Sequence, residues 1–335
     1  MKNTISFLML ALTLTCFMAC GAKTENKLVI YSPVSEEQIR EITSAFEKDT
    51  GIKVEMISVV TGEVFKRLKS EKNNPYADVA WAGDKAIYRD NLDLFEDYVS
   101  VNNEELPEEY RNIAGKLTIY GLDASVLLVN KNRIGGIAVE GYEDLLNPEL
   151  KDKMIMGDPS GQSTAYAQLI NMLIAEGGDL KSQQGWDYVQ SLLANINGKI
   201  GNSSGAVHKS VADGEYAVAL TFEDPSITYV RNGAPVDVVY MKEGVVFNPV
   251  AAAVVKGAKH AENAKKFIDF LTSQKGQDIY GSKLNVRPVR TDAKLGDYMK
   301  PLSEIKILYP DDIYVKEHRS EILDKYKAIF AEINK

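Results

Sequence analysis

Apolar segments of strand length alternate with amphipathic helical segments through the first part of the chain. Residues 28–32, 52–60 and 78–82 are predicted strands, and residues 36–48 and 63–70 are predicted helices with apolar side chains three or four apart. This alternation is typical of a mostly parallel sheet with helices on both faces. In such sheets ligands bind beyond the carboxyl ends of the strands, so the polar residues that follow the strands are the first candidates for a site.

Length and composition favour two lobes over one. The 335 residues are 45% hydrophobic, which is enough to bury a large core without disulfides. Cys16 and Cys20 both lie near the N-terminus, so no disulfide or thiol chemistry is predicted in the body of the protein. The formal net charge of −8 argues against nucleic acid as a partner, and no cofactor is predicted.

The N-terminal segment has the features of an export signal. Lys2 precedes an apolar run over residues 5–19, and FMACG at residues 17–21 resembles a bacterial lipobox, in which the cysteine is lipidated. We therefore predict a lipoprotein signal peptide at residues 1–19, lipidation of Cys20 and a tether over residues 20–26. Phe17 departs from the usual leucine, and cleavage without a lipid is the alternative. No later segment approaches the roughly 20 apolar residues of a membrane span, so a lipid anchor is the only membrane attachment expected.

A polar loop opens directly onto a helix near the middle of the chain. Residues 154–156 are a predicted strand, and Gln162, Ser163 and Thr164 stand at the start of the amphipathic helix that follows. A helix start presents unpaired backbone N–H groups and the positive end of the helix dipole, and these side chains add donors. The stretch is a predicted anion seat; the alternative is that Ser163 or Thr164 only caps its own helix.

A second serine-rich helix start and a pair of carboxylates come next. NSSG at residues 202–205 precedes a short helix, so two starts of one kind are expected at one cleft, with Lys199 and Lys209 as the nearest cations in sequence. Glu223 and Asp224 end a strand predicted at residues 216–222. Either they accept hydrogen bonds from ligand hydroxyls, or Asp224 caps a helix at residues 226–231.

Three segments resemble bacterial extracellular solute-binding proteins of ABC importers, in particular the ferric-iron and phosphorylated-sugar branch. They are KLVIYSPVSEEQIREITSAFEKDTGIKVEMIS, PYADVAWAGD and VVFNPVAAAVVKGAKHAENAKKFIDFLTSQKGQDIY, and the last is the most specific. The resemblance covers nearly the whole chain beyond the signal. It implies a two-lobed, periplasmic-binding-protein-like α/β fold, in which each lobe is a mostly parallel sheet flanked by helices and the ligand lies in the cleft between them.

The same resemblance sets the expected lobe boundaries. The N-lobe is predicted at residues 27–122 plus 246–300, and the C-lobe at residues 123–245 plus 301–335. The chain is expected to cross between the lobes just before residue 124 and again near residues 247–254.

Compared with the ferric-binding members, the chain lacks the iron ligands. The resemblance puts the family's tandem tyrosines at Asp224 and Pro225, its histidine at Ser35 and its glutamate at Gly62, so all four ligands are missing. Because ferric ion favours anionic oxygen ligands, no metal site is predicted, although Glu223 and Asp224 still offer oxygen.

The chain resembles the family more closely at the anion-binding positions than at the iron-binding positions. The resemblance matches them to Ser163, Thr164 and Ala165 in one helix start and to Ser204 in the other, where hydroxyls and free N–H groups remain. The members with this pattern take up phosphorylated sugars. The full set of predicted ligand-binding residues is Ser32, Ser35, Thr61, Gly62, Gln162, Ser163, Thr164, Ala165, Ser204, Glu223 and Asp224.

The predicted function is that of a monomeric, lipid-anchored receptor, periplasmic or at the cell surface, that delivers a small anion to an ABC permease. A phosphorylated sugar is the favoured ligand, ferric ion or an iron–anion complex is the alternative, and a phosphonate is a weaker one. A secreted hydrolase built on His208, Glu223 and Asp224 is the competing enzyme class. The chain has no G-x-S-x-G, P-loop or H-E-x-x-H motif to support it.

Overall fold

The computed structural model describes residues 26–334, a mixed α/β chain whose strands form one curled sheet. The predictions of a signal peptide, of Cys20 lipidation and of nearly all of the tether lie outside the described residues. Within residues 26–334, no helix has the length and apolar character needed to cross a membrane.

Strands and helices alternate as the pattern indicates. The strands are β1 Lys27–Ser32, β2 Lys53–Ser58, β3 Val79–Asp84, β4 Thr118–Asn130, β5 Met154–Gly157, β6 Ile200–Gly201, β7 Val218–Phe222, β8 Val236–Val239, β9 Val245–Val254, β10 Arg287–Pro288 and β11 Ile307–Leu308. The α-helices are α1 Glu36–Thr50, α2 Thr61–Ser70, α3 Lys85–Arg89, α4 Ser163–Gly177, α5 Gln183–Ile196, α6 Ser204–Ala212, α7 Glu223–Arg231, α8 Ala261–Thr272, α9 Gln274–Ile279, α10 Asp312–Glu317 and α11 Arg319–Ile333.

The sheet has two parallel parts joined by antiparallel strands. Its order is β2-β1-β3-β9-β4-β7-β5-β6. β1 pairs in parallel with β2 and β3, and β5 pairs in parallel with β6 and β7. β9 and β4 lie between these two parts and pair antiparallel with each other and with their outer neighbours. The prediction of two lobes, each with a mostly parallel sheet, matches this arrangement.

β4 runs through both parts of the sheet. Its first half pairs with β9, from Thr118 opposite Ala252 to Ala124 opposite Phe247, and its second half pairs with β7 and β8. The predicted lobe boundaries fall inside β4 and at the first residues of β9. We keep those boundaries as our proposed division, and call the β1–β3 side the N-lobe and the β5–β7 side the C-lobe.

Burial explains why the first elements form where they do. Successive residues of β1 are buried on both faces, as expected for a central parallel strand covered by helices. α1 turns Ile42 and Phe46 inward, and the Phe46 ring meets the Phe267 ring of α8 edge to face at 5.1 Å. Gly51 ends α1 with a φ of 68°, a conformation that glycine adopts without the strain a side chain would bring.

The C-terminal segment contains two helices rather than one. It forms α10 and α11 with a break at His318. β11 pairs with the start of β9, and Lys325 of α11 lies over the Trp186 ring of α5, 4.6 Å from the ring centroid. The segment therefore packs on the C-lobe.

The N-lobe contacts this C-terminal segment as well. Asp312 of α10 forms ion pairs with Lys85 and Arg89, and Lys316 pairs with Asp90. These ion pairs join α10 to the N-lobe. The C-terminal segment therefore connects the two lobes on one side, in addition to the crossing strands.

Three carboxylates, Glu143, Glu176 and Glu243, gather near the start of β9. Glu243 accepts hydrogen bonds from the backbone N–H groups of Tyr142 (3.0 Å) and Glu143 (3.3 Å). Glu176, at the end of α4, has a buried Oε1 with no hydrogen-bond partner among the described residues. Burial, followed by the charges of Glu243 and Glu143, raises the pKa of Glu176 to about 7. The folded protein thus holds a proton on Glu176 more tightly than the unfolded chain does.

This raised pKa predicts a pH-dependent effect of Glu176→Gln. The stabilising effect of the bound proton is complete below the unfolded pKa near 4.5 and is lost as the pH rises through about 7. We therefore expect Glu176→Gln to raise the free energy of unfolding by roughly 1–3 kcal/mol at pH 8 and to leave it nearly unchanged at pH 5. Thermal melts at the two pH values measure this difference. Equal shifts at both would contradict the raised pKa.

Candidate functional site

The start of α4 lacks a side-chain cap. Gln162 is the residue before the helix, and neither its side chain nor that of Ser163 or Thr164 accepts a hydrogen bond from the first turn. Within residues 26–334, the backbone N–H groups of Ser163, Thr164 and Ala165 have no acceptor. Ala165 is only 4% exposed, and N–H groups on buried residues normally find a partner in protein, water or a ligand. The alternative that Ser163 or Thr164 caps α4 therefore does not describe this helix.

The start of α6 is capped, yet it still meets α4. Ser203 precedes the helix and accepts a hydrogen bond from the Ala206 N–H at 3.1 Å. Ser204, the next residue, has its Oγ 2.7 Å from Thr164 Oγ1, although the two lie 40 residues apart. The Ser204 hydroxyl also donates to Gln162 Oε1 at 3.4 Å, so Thr164 is the donor to Ser204 in this arrangement. The sequence prediction that two helix starts converge is matched by this contact.

Gln162 connects the loops in front of both helices. Its Nε2 donates to the Gly201 carbonyl at 2.9 Å, and its Oε1 lies 3.4 Å from Ser204 Oγ. A side chain at Gly157, the last residue of β5, would overlap this amide. The glycine at the end of β5 thus leaves the space that the Gln162 amide occupies.

A small cavity of about 10 Å³ lies between the two helix starts, which is about the space of one water molecule. It is lined by Gly157, Gln162, Thr164, Ala165, Ser204, Val207, Leu220 and Thr221. Since the interior is so small, a larger anion would lie at its outer side, where Ser163 is exposed.

Glu223 is occupied by protein partners. α7 begins at Glu223 rather than at the predicted residue 226, so both carboxylates stand in its first turn. Glu223 is 1% exposed and forms an ion pair with Arg287 of β10, in which Arg287 Nε lies 3.0 Å from Glu223 Oε2. Its other oxygen accepts from Arg287 Nη2 and the Tyr240 hydroxyl. We therefore remove Glu223 from the predicted ligand-binding set, because both of its oxygens are used inside the protein.

Asp224 has a different environment from its neighbour. Its carboxylate has no hydrogen-bond donor in the part of the chain that the structure describes, and the residue is partly exposed. Burial, then the charge of Glu223, then that of Glu37 raise the pKa of Asp224 to about 7, while Arg231 acts in the opposite direction. Glu37 belongs to α1, and Arg231 Nη2 lies 3.4 Å from Glu37 Oε1. The Asp224 carboxylate therefore stands where the two lobes approach each other.

The predicted N-lobe residues divide into one structural residue and three accessible ones. Ser32 is fully buried, and its hydroxyl donates to the Trp81 carbonyl at 2.7 Å, so we also remove it from the ligand-binding set. Ser35 is exposed and caps α1 by accepting from the Gln38 N–H at 3.3 Å. Thr61 and Gly62 open α2, whose start has no side-chain cap. No hydrogen bond joins these three residues to the α4 and α6 starts within residues 26–334.

Within residues 26–334, no hydrogen bond joins His208 to Glu223 or Asp224. Burial lowers the pKa of His208 to about 4, so its ring is neutral at pH 7 and a weak base. Its Nδ1 lies 3.5 Å from Thr221 Oγ1, and aromatic rings of Phe222 and Tyr229 lie beside it. Across the described residues, no three His, Cys, Asp or Glu side chains are grouped to hold a metal ion.

Several residues at the site were not identified from sequence. Arg287 stands between apolar residues in NVRPV, and a charge in such a segment is a usable sign of a buried ion pair. Arg319 contacts Tyr166 in the first turn of α4, with its Cζ 3.8 Å from the ring centroid. Lys209, one of the two cations nearest in sequence, is paired with Asp213 instead. No local sequence signal connects residue 319 to α4.

Comparison with known proteins adds to this geometry. A family model described as "Bacterial extracellular solute-binding protein" matches residues 74–316. Iron uptake protein A1 of Synechocystis sp. is 25% identical over 296 residues, which are 84% of this chain and 81% of that protein. The periplasmic binding protein AfuA from Actinobacillus pleuropneumoniae, with exogenous fructose-6-phosphate bound, is 24% identical with a TM-score of 0.75, covering 91% of this chain and 98% of that one. The ferric binding protein from Campylobacter jejuni is 24% identical with a TM-score of 0.70, covering 91% and 99%.

Proposed function

The chain belongs to the bacterial extracellular solute-binding proteins, which serve ABC importers, and on that basis we propose that it captures a phosphorylated sugar and delivers it to a membrane permease. Family membership fixes the class of function, a binding protein, but the relatives bind different solutes. AfuA carries fructose 6-phosphate and other relatives carry iron. The ligand must therefore be argued from the residues of this chain.

The proposal is based on the start of α4, which has no side-chain cap and lies in contact with the start of α6. Three open N–H groups and the exposed Ser163 hydroxyl make a cluster of neutral donors at the positive end of a 15-residue helix, beside the Thr164–Ser204 hydroxyl pair. Such donors favour a compact oxyanion such as a phosphate group. Gln162 and Ala165 support the cluster by holding the loop and by supplying an N–H.

Asp224 supports the sugar part of the ligand. A carboxylate without a protein donor, set between the lobes, accepts hydrogen bonds from ligand hydroxyls when the lobes close. Ser35, Thr61 and Gly62 at the N-lobe strand ends are the proposed contacts from the opposite side. We propose binding without turnover, in agreement with the neutral, weakly basic His208.

Ferric ion is the second candidate because iron-binding proteins are among the relatives. Against it stand the missing tandem tyrosines and the absence, within residues 26–334, of a grouped set of metal ligands. Addition of Fe(III) followed by visible spectroscopy tests this candidate. A phenolate-to-iron charge-transfer band would favour iron over sugar phosphate.

We further propose that the protein is a monomer held at the membrane by lipid on Cys20. The proposal is based on the lipobox-like residues 17–21, FMACG. Metabolic labelling with a radioactive fatty acid tests the anchor, with Cys20→Ser as the unlabelled control.

A ligand panel measured by thermal shift and calorimetry tests the proposed function. Fructose 6-phosphate, glucose 6-phosphate, inorganic phosphate, 2-aminoethylphosphonate and ferric citrate are the probes. A ligand at about 100 times its dissociation constant adds roughly 2.7 kcal/mol of stability, which is easily seen in a melt. We expect a sugar phosphate to bind more tightly than the other probes. Tighter binding of ferric citrate than of any phosphorylated compound would contradict the proposal.

The variant Asp224→Asn distinguishes the part of the proposed site that binds the sugar hydroxyls from the part that binds the phosphate. At pH 8, above the raised pKa of Asp224, replacing this charged acceptor with a neutral one should weaken binding of a sugar phosphate by about 10-fold, since charged hydrogen bonds contribute more than neutral ones. Inorganic phosphate, which has no sugar hydroxyls, should bind the variant as it binds the parent. Calorimetry with both ligands gives the comparison, and an equal loss for both would assign Asp224 to the anion rather than the sugar.

A further inference from the structure

The C-terminal segment brings an arginine to the first turn of α4. The Arg319 guanidinium lies over the Tyr166 ring, with Cζ 3.8 Å from the centroid, and the Tyr166 hydroxyl donates to the Val315 carbonyl at 3.5 Å. Tyr166 is three residues after Ser163, so the two share one face of the helix. Helical side chains lean toward the N-terminus of their helix, which carries the Tyr166 ring toward Ser163.

Arg319 is an exposed charge without a protein counter-ion. Seven of the nine arginines have a carboxylate oxygen within 4 Å, whereas Arg319 has none among the described residues. Stacking on the ring occupies one face of the guanidinium, and one side of it also interacts with the Tyr166 hydroxyl, which leaves the other N–H groups at its edge available. Those N–H groups form a planar fork that fits two oxygens of a phosphate.

The segment before Arg319 is fixed from both sides. Asp312 pairs with Lys85 and Arg89 of the N-lobe, and Lys316 pairs with Asp90. On the C-lobe side, the Lys181 ammonium lies 4.8 Å from the centroid of the Tyr314 ring. These contacts hold the start of α11, and therefore Arg319, beside α4.

We propose that Arg319 is a ligand-binding residue of the anion site and gives the site its preference for a doubly charged phosphate group over a singly charged anion. This proposal rests on the proposed function. The α4 and α6 starts offer only neutral donors and a helix dipole, which distinguish charge states weakly. A full positive charge at the edge of the same turn adds an ion pair that grows with the charge of the ligand.

The test compares a phosphate ester with the sulfate ester of the same sugar. Fructose 6-phosphate is largely dianionic at pH 8, because phosphate esters lose their second proton near pH 6, whereas fructose 6-sulfate carries one charge. Calorimetry is run with the parent, Arg319→Gln and Arg319→Lys. Lys325→Gln is the matched control, because Lys325 is also an exposed α11 cation stacked on a buried aromatic ring, Trp186.

We expect Arg319→Gln to weaken fructose 6-phosphate binding by about 10- to 100-fold and to affect the sulfate ester much less. The affinity of Arg319→Lys for fructose 6-phosphate should lie between those of the parent and Arg319→Gln, since lysine keeps the charge and loses the planar fork. Lys325→Gln should bind both esters as the parent does. A merely structural role for Arg319 would weaken both esters equally and would overturn the inference.

The failures of the two proposals are distinguishable. If Arg319→Gln binds the phosphate ester as tightly as the parent does, Arg319 is not a ligand-binding residue while the proposed function stands. If the parent binds neither ester nor any other phosphorylated probe, the proposed function fails and this inference fails with it.

Discussion

Ser163→Asp is expected to abolish binding of a phosphorylated sugar without destabilising the protein. Ser163 is the first residue of α4, where the N–H groups are open and no side-chain cap exists. A carboxylate there removes a donor and places a fixed negative charge where the phosphate must lie, which we expect to weaken binding about 100-fold or more. The same carboxylate interacts favourably with the helix dipole, by about 0.3–1 kcal/mol. Affinity and stability should therefore change in opposite directions.

Two further variants at this position separate charge from shape. Ser163→Asn has nearly the size of aspartate without its charge, and Ser163→Ala removes only the hydroxyl. Both should keep the melting temperature of the ligand-free protein, and Ser163→Ala should weaken binding by about 10- to 100-fold. Calorimetry on folded protein measures each affinity. Unchanged affinity in Ser163→Asp would show that the start of α4 binds no anion.

Glu223→Ala is expected to be the most destabilising single change at the site. It leaves the Arg287 guanidinium, which is 1% exposed, buried without its counter-charge. Removing one partner of a buried ion pair typically costs about 3–5 kcal/mol. The Tyr240 hydroxyl loses its acceptor at the same time. Denaturant unfolding monitored by circular dichroism measures the loss.

The neighbouring carboxylate gives the matched control for this prediction. Asp224→Asn should not destabilise the protein at pH 8, because the raised pKa of Asp224 means that the folded state disfavours its charge. Replacing both members of the pair, by Glu223→Leu with Arg287→Met, should cost less than the two single changes together. Equal destabilisation by Glu223→Ala and Asp224→Asn would contradict the different roles that we give them.

The fold follows from sequence because its signals are local and repeated. Buried strands such as β1 and amphipathic helices such as α1 and α8 each show their own periodicity, and family membership confirms the resemblance. Element ends were less predictable. α7 begins at Glu223, three residues before the predicted residue 226.

The site was only partly accessible from sequence, for a physical reason. The helix starts at Ser163 and Ser204 are local features, so a pattern can identify them. The hydrogen bond from the buried Ser32 hydroxyl to the Trp81 carbonyl depends on how β1 and β3 pair, and the ion pair of Glu223 depends on Arg287, 64 residues away. Arg319 reaches Tyr166 only because α11 packs on the C-lobe. Contacts between residues so far apart in sequence are set by tertiary packing and produce no periodic pattern in the sequence.

A crystal structure of the protein with fructose 6-phosphate tests the central claim most directly. The account predicts phosphate oxygens within about 3.2 Å of the backbone nitrogens at the start of α4 and of the Thr164 or Ser204 hydroxyl. It also predicts a sugar hydroxyl on the Asp224 carboxylate. A ligand bound away from both helix starts, or a metal ion held by Asp224 in place of the sugar, would contradict it.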